Sequence, residues 1–257
     1  MGPITRNGLE GRLVVLSAHP DDAVWSLGSG MTGLARGRDV LLLTLFDGDA
    51  TAGSTLAVGD ARWRRFASPP LRREEDIRAA MSLGIERAGA GFDDAALRLD
   101  GRDRFAHADI NALFLPARVD PALWPEPDAM QLATVRAMLR PADIVCAPLG
   151  IGGHVDHCLT HRLARQLDNP VCFYADFPYV GQLDEQALAS HVERLGLGLV
   201  SHSCQCSWDR WLKAALMYRS QVMMLFASQA RFVGALAAHA QVSQTGACCR
   251  IWSSRSM

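Results

Sequence analysis

The chain has 257 residues, with 26 Lys and Arg against 27 Asp and Glu and 49% hydrophobic residues. At that length a globular chain buries roughly 70–75% of its unfolded surface, enough for one large domain or two small ones. The near-zero net charge excludes a general attraction to nucleic acid or to an anionic membrane, and no stretch reaches the ~20 apolar residues of a membrane span.

In chain order, RLVVLS (12–17) is a short apolar run. AVWSLGSGMTGLARG follows, with apolar residues at helical spacing. DVLLLTLF (39–46) is a continuous apolar run, the pattern of a strand buried on both faces. LRREEDIRAAMSLG (71–84) reads as a helix stopped by Gly84. DAMQLATVRAML (128–139) is helical, with Pro141 beyond its end, and DIVCAPL (143–149) is a strand. VDHCLTHRLARQL (155–167) is a helix and VCFYADF (171–177) a strand. Helices are expected over 184–195, 208–219 and 227–240, and a last strand near CCRIWSS. Strands separated by helices predict an α/β fold, a mostly parallel sheet with helices on both faces. No repeat or linker divides the chain, so a single domain is expected. Two long irregular stretches, 47–70 and 98–127, are either functional covers or poorly ordered.

The opening segment, MGPITRNGLEGR, lacks the apolar run of a signal peptide, so a cytoplasmic location is expected. Seven cysteines, an odd number, suit reduced thiols better than a disulfide framework. Cys204-x-Cys206 with Cys248-Cys249 offers four thiols, but not at the usual zinc-ligand spacing. Buried inert thiols are the plainer reading.

Ligands of an open α/β sheet bind outside the carboxyl ends of its strands. His19-Pro20-Asp21-Asp22 follows the first strand directly. His19 and Asp22 can both reach one divalent ion, while Asp21 must project elsewhere. GIGGHVDH, directly after DIVCAPL, brings His154, Asp156 and His157. Two His and one Asp leave coordination positions open, as a catalytic metal centre requires. Either motif alone reads equally well as a turn and helix cap. Together, at two strand ends, they point to metal. His161, a full turn further into the helix than His157, is read as structural.

These residues also carry a resemblance. Ala18-His19-Pro20-Asp21-Asp22, the later H-x-D-H at 154–157, the helix bearing Arg72, Glu75, Ala79, Leu83 and Gly84, and WLKAALMYRSQ (211–221) are similar to the PIG-L/LmbE-like de-N-acetylases. The resemblance implies one Rossmann-like deacetylase domain over 1–257, with its core at about 12–221. It implies Zn2+, or another divalent ion such as Fe2+, on His19, Asp22 and His157. Asp21 would be the general base, and His154 would stabilise the oxyanion or protonate the leaving amine. Asp156 would orient His154 and favour its charged form, and Arg72 would contact substrate. The implied substrate is a small soluble N-acetylated aminosugar. Oligomers occur among relatives, but the sequence identifies no interface between copies. The family commonly has Glu where this chain has Ala23, which leaves the three ligands intact.

Asp47 and Asp49, after the second strand, would face the same crevice and suit sugar hydroxyls; a solvated turn is the equal alternative. Gly28-x-Gly30-x-x-Gly33 matches the dinucleotide-binding pattern but begins ten residues beyond the strand, inside the helix. A nucleotide-binding oxidoreductase is therefore disfavoured. A 2-His-1-carboxylate iron oxygenase is a further alternative, and it gives Asp21 no task.

Overall fold

The computed structural model describes residues 11–49, 68–100, 105–107, 109–116 and 119–254. Its strands are β1 (Leu13–Ser17), β2 (Val40–Thr44), β3 (Glu86–Gly89), β4 (Ile144–Pro148), β5 (Val171–Tyr174), β6 (Val200–Cys206) and β7 (Ala247–Ser253). They form one sheet in the order β3-β2-β1-β4-β5-β7-β6. β1 to β5 run parallel, and β7 lies antiparallel between β5 and β6. The helices are α1 (Asp22–Leu27), α2 (Gly30–Leu34), α3 (Pro69–Leu83), α4 (Ala129–Met138), α5 (Val155–Ala164), α6 (Glu185–Arg194), α7 (Trp208–Ala215), α8 (Arg219–Phe226) and α9 (Gln229–His239).

The core is two apolar layers, one on each face of the sheet. In β1, Leu13 and Val15 join the layer with Trp25, Met31, Leu83, Trp211 and Phe232, from α1–α3, α7 and α9. Val14 and Leu16 join the layer with Val135, Leu159, Leu163, Leu188 and Val192, from α4–α6. Alternating side chains buried on both sides explain the unbroken apolar runs of β1 and β2. The α/β single-domain expectation therefore matches the architecture.

Three local differences have physical causes. The helix expected after β1 is broken into α1 and α2 at Gly28, whose φ is +47°. A Cβ there would lie 2.0 Å from the Trp211 indole, so glycine is needed for packing as well as for conformation. The helix expected over 208–219 ends at Ala215, and α8 starts afresh at Arg219. β3 (ERAG) and β6 (VSHSCQC) were not anticipated; both are partly exposed edge strands without an apolar run. Of the long irregular stretches, 50–67, 101–104, 108, 117 and 118 lie outside the described residues. Among the described residues, no single helix is long and apolar enough to cross a membrane.

The strand order has one consequence for function. From β1 the chain moves outward through β2 to β3, then returns to place β4 on the other side of β1. The reversal opens a crevice at the carboxyl ends of β1 and β4, where such folds place ligands.

A candidate metal centre at the strand switch point

His19-Pro20-Asp21-Asp22 turns out of β1 into α1 and is held by its own short polar bonds. The Ser17 hydroxyl donates to the His19 carbonyl (2.6 Å) and accepts from Ala23 N–H (3.0 Å), while His19 N–H donates to Asp22 Oδ2 (2.7 Å). Asp21, which precedes α1, has φ +107°, a region costly for a residue with a Cβ, typically by about 1–3 kcal/mol. That conformation accompanies the separation of the two adjacent carboxylates. Asp22 lies among the histidines; Asp21 has Arg72 as its nearest cationic partner, Nη2 3.8 Å away. Ala23 is fully buried in an apolar layer.

From β4 the chain reaches His154, which caps α5. Its Nδ1 accepts from Asp156 N–H (3.2 Å), so in the neutral ring the proton sits on Nε2. Burial and the charge of His19 push its pKa down to about 3. Asp156 acts in the expected direction, favouring the charged ring, but burial and His19 outweigh it. The Asp156 carboxylate contacts His19 Nε2 (3.0 Å) and accepts from Ala95 N–H (2.8 Å) and Arg98 Nη2 (2.6 Å). Although burial opposes ionisation, His19 and Arg98 hold this carboxyl well below the usual range.

His19, His154 and His157 bring ring nitrogens within 4.8 Å of one another. Asp22 Oδ2 lies 3.2 Å from His19 Nδ1 and 3.1 Å from His157 Nε2. The three residues expected as ligands thus meet in one place. A second grouping at metal-ligand spacing, His19 with Asp94 and Asp156, shares His19.

Two observations show that these residues fit a cation. Each ring has one nitrogen anchored on a carboxylate: His19 Nε2 on Asp156, and His157 Nδ1 on Asp176 Oδ1 at 2.7 Å. This is the usual support of a metal-bound histidine. His157 Nε2 is buried without a hydrogen-bond partner, although Asp22 Oδ2 is close by. A neutral ring would there oppose its lone pair to a carboxylate oxygen, so a positive charge belongs between them. The same demand raises both histidine pKa values against the effect of burial. His19 reaches about 10, through Asp94, Asp156 and Asp22; His157 is well above its ordinary value, through Asp22 and Asp176. Asp21, Asp22, Asp94, Asp156 and Asp176 are all buried in this shell, against the guanidinium groups of Arg72 and Arg98. Buried excess negative charge is costly unless compensated, as a divalent ion would do.

Asp21 is set apart from the histidines. Burial and neighbouring Asp22 push its pKa well above the carboxylate range, against Arg72 and His19. Arg72 is 8% exposed and donates to Asp94 (3.2 Å) and the Pro20 carbonyl (3.2 Å), bracing the loop that carries Asp21. Asp47 binds Arg87 (2.5 Å) through one oxygen and Gly91 N–H (2.9 Å) through the other. Asp49 forms a two-pronged pair with Arg73 (2.8 and 2.9 Å). These three residues have protein partners at the positions where substrate contact was expected. Sequence reasoning missed Asp176, Asp94 and Arg98. Asp176 lies just beyond β5, so the rule that located His19 could have found it. Asp94 and Arg98 lie in an irregular segment with no comparable signal.

The chain is an α/β domain with a candidate metal centre at its strand switch point, and comparison with known proteins gives the family. Residues 14–167 match the PIG-L family, described as GlcNAc-PI de-N-acetylase, and the chain belongs to it. Among individual proteins, it is 35% identical over 182 residues to 2'-N-acetylparomamine deacetylase of Streptomyces fradiae. That alignment covers 68% of this chain and 60% of the relative's length. Two crystal structures share the fold. That of A40926 pseudoaglycone deacetylase Dbv21 has a TM-score of 0.68 at 23% identity, covering 94% of this chain and 96% of the other. That of the zinc inhibited form of teicoplanin deacetylase Orf2 has 0.69 at 22%, covering 94% and 97%.

Proposed function

We propose that this chain hydrolyses the acetamide of a small N-acetylated aminosugar, a natural-product intermediate, releasing acetate and a free amine. The observation that carries the reading is the paired clamp: two histidines, each anchored on a carboxylate, offer their other nitrogens around Asp22. His19, Asp22 and His157 would hold the ion, which we take to be zinc. A zinc ion, when bound, lowers the pKa of water towards ~7 and polarises a carbonyl.

The other residues have distinct tasks. Asp21 takes the proton from the attacking water; a raised pKa brings a carboxylate closer to the neutral value that suits a general base. His154, neutral and with its proton on Nε2, donates a hydrogen bond to the developing oxyanion. Such a donor is worth ~2.7–4 kcal/mol. Asp21, having taken the proton of the attacking water, is placed to return it to the leaving nitrogen. Asp156 and Asp176 orient His19 and His157.

The test is acetate release from a panel of N-acetylated aminosugars, including pseudosaccharides and glycosides, together with metal analysis. Hydrolysis that is lost on chelation, restored by zinc, and abolished in Asp21→Ala with metal retained supports the proposal. A protein that binds no divalent ion and releases no acetate overturns it. Oxygen consumption dependent on Fe2+ would favour the oxygenase alternative.

A further inference from the structure

A second cluster of reactive side chains lies far from the metal ligands in sheet order. Cys204 on edge strand β6 lies directly opposite Cys249 on β7, in the antiparallel register that also pairs Gln205 with Cys248 and Cys206 with Ala247. Side chains alternate along a strand, so Cys204, Cys206 and Cys249 share one face and Cys248 takes the other. That face is covered by α2, whose glycines sit against the sulfurs. A Cβ on Gly30 would be 2.3 Å from Cys249 Sγ, and one on Gly33 would be 2.9 Å from Cys204 Sγ. Among the described residues, the groupings at metal-ligand spacing are the two around His19 and contain no cysteine. The thiol cluster therefore suggests bonding between sulfurs rather than a held ion.

We propose that Cys204 and Cys249 form a redox-modification site, in which a peroxide oxidises Cys204 and Cys249 resolves it as a cross-strand disulfide. Directly opposed residues of an antiparallel pair have Cα atoms about 4.5–5.5 Å apart, inside the ~4.4–6.8 Å range of disulfides. The Cys249 thiol also meets the Cys206 side chain, but that pair is diagonal, with backbones about 7–8 Å apart in such a ladder, which makes the directly opposed Cys204 the better partner. Cys204 is partly exposed and Cys249 is buried, which divides the roles of attacking and resolving sulfur. The Cys249 thiol, opposed by burial and assisted by Arg36, also brings Cys204 down to about 7, into the range where thiolate is populated.

The Cys204 thiolate attacks one peroxide oxygen; the O–O bond breaks, leaving a sulfenic acid and hydroxide, which protonates to water. The Cys249 sulfur then attacks the Cys204 sulfur as the S–O bond breaks. The departing hydroxide takes the Cys249 proton as a second water. Two thiols are thus oxidised by two electrons, and one hydrogen peroxide is reduced to two waters. The bond encloses the segment carrying α7, α8 and α9. Cross-linking so long a segment restricts the unfolded chain more than the folded one.

The test exposes the folded full-length chain to hydrogen peroxide, alkylates the remaining thiols, and maps unreduced peptides by mass spectrometry. The expected product joins the Cys204 and Cys249 peptides, is reversed by dithiothreitol, and raises the melting temperature by roughly 5 °C or more. Cys146 and Cys172, opposed on β4 and β5 but fully buried, are the internal control expected to stay reduced. Cys249→Ser should abolish the cross-link and leave a Cys204 sulfenic acid that dimedone traps. Oxidation of wild-type Cys204 without a bond to Cys249, or a Cys206–Cys249 bond in its place, overturns the proposal.

Discussion

His157 and His161 sit one helical turn apart on α5, both fully buried and both with an Nε2 that has no hydrogen-bond partner. Their surroundings are opposite. His157 Nδ1 rests on the Asp176 carboxylate, and its free nitrogen faces Asp22. His161 Nδ1 donates to the Pro148 carbonyl (3.0 Å), and its ring meets Phe173 face to face and Trp124 edge-on. Carboxylates raise the first pKa well above its ordinary value; burial lowers the second to about 3. A bare nitrogen is thus not itself a sign of a metal ligand. What sets His157 apart is negative charge on both sides of the ring, which calls for positive charge there, a bound cation or a second ring proton.

Four experiments test this contrast. The largest effect is expected from His157→Ala, which should abolish both bound metal and hydrolysis, whereas His161→Gln should retain both; metal analysis and acetate release on the same preparations decide. Asp21→Asn comes next: hydrolysis should fall by ~10²–10⁴ while metal content stays, since a proton carrier and not a ligand is lost. Asp176→Asn should weaken metal affinity about 10–100-fold, read by competition with a chelating dye, because the ring it anchors loses orientation and basicity. The last effect concerns stability alone. His161 has a depressed folded-state pKa, so between about 6.5 and about 3 the unfolded chain binds the proton that the folded chain refuses. Stability then rises with pH through that window and is lost as pH falls, by up to about 5 kcal/mol from this group. Denaturant midpoints measured across that window should show a shallower acid slope in His161→Gln than in the parent; an unchanged slope would refute the assignment.

The site was legible to different depths. His19, Asp22 and His157 were accessible because each lies within nine residues of the end of an apolar strand, and a strand end is a local pattern. The separate reading of His161 also rested on local spacing. Asp156 was visible as a residue, but not its target: that its carboxylate meets His19 depends on β1 and β4 lying side by side. Asp47 and Asp49 looked available because their partners Arg87 and Arg73 come from β3 and α3, and no local signal links them. Edge strands β3 and β6 escaped notice because partial exposure removes the apolar run by which buried strands are recognised.

The alternation of strand and helix, the two His/Asp motifs at strand ends, and the displacement of the glycine pattern away from a nucleotide-binding turn were all readable from the sequence alone. These are short-range properties, fixed by side-chain period and turn chemistry within about a dozen residues. Only the tertiary structure decided that β1 and β4 are neighbours, that Asp156 and Asp176 each anchor a different histidine, and that the late glycines make room for Trp211 and two cysteine sulfurs. Those contacts join distant positions of the chain and follow from sheet order, which local patterns leave undetermined.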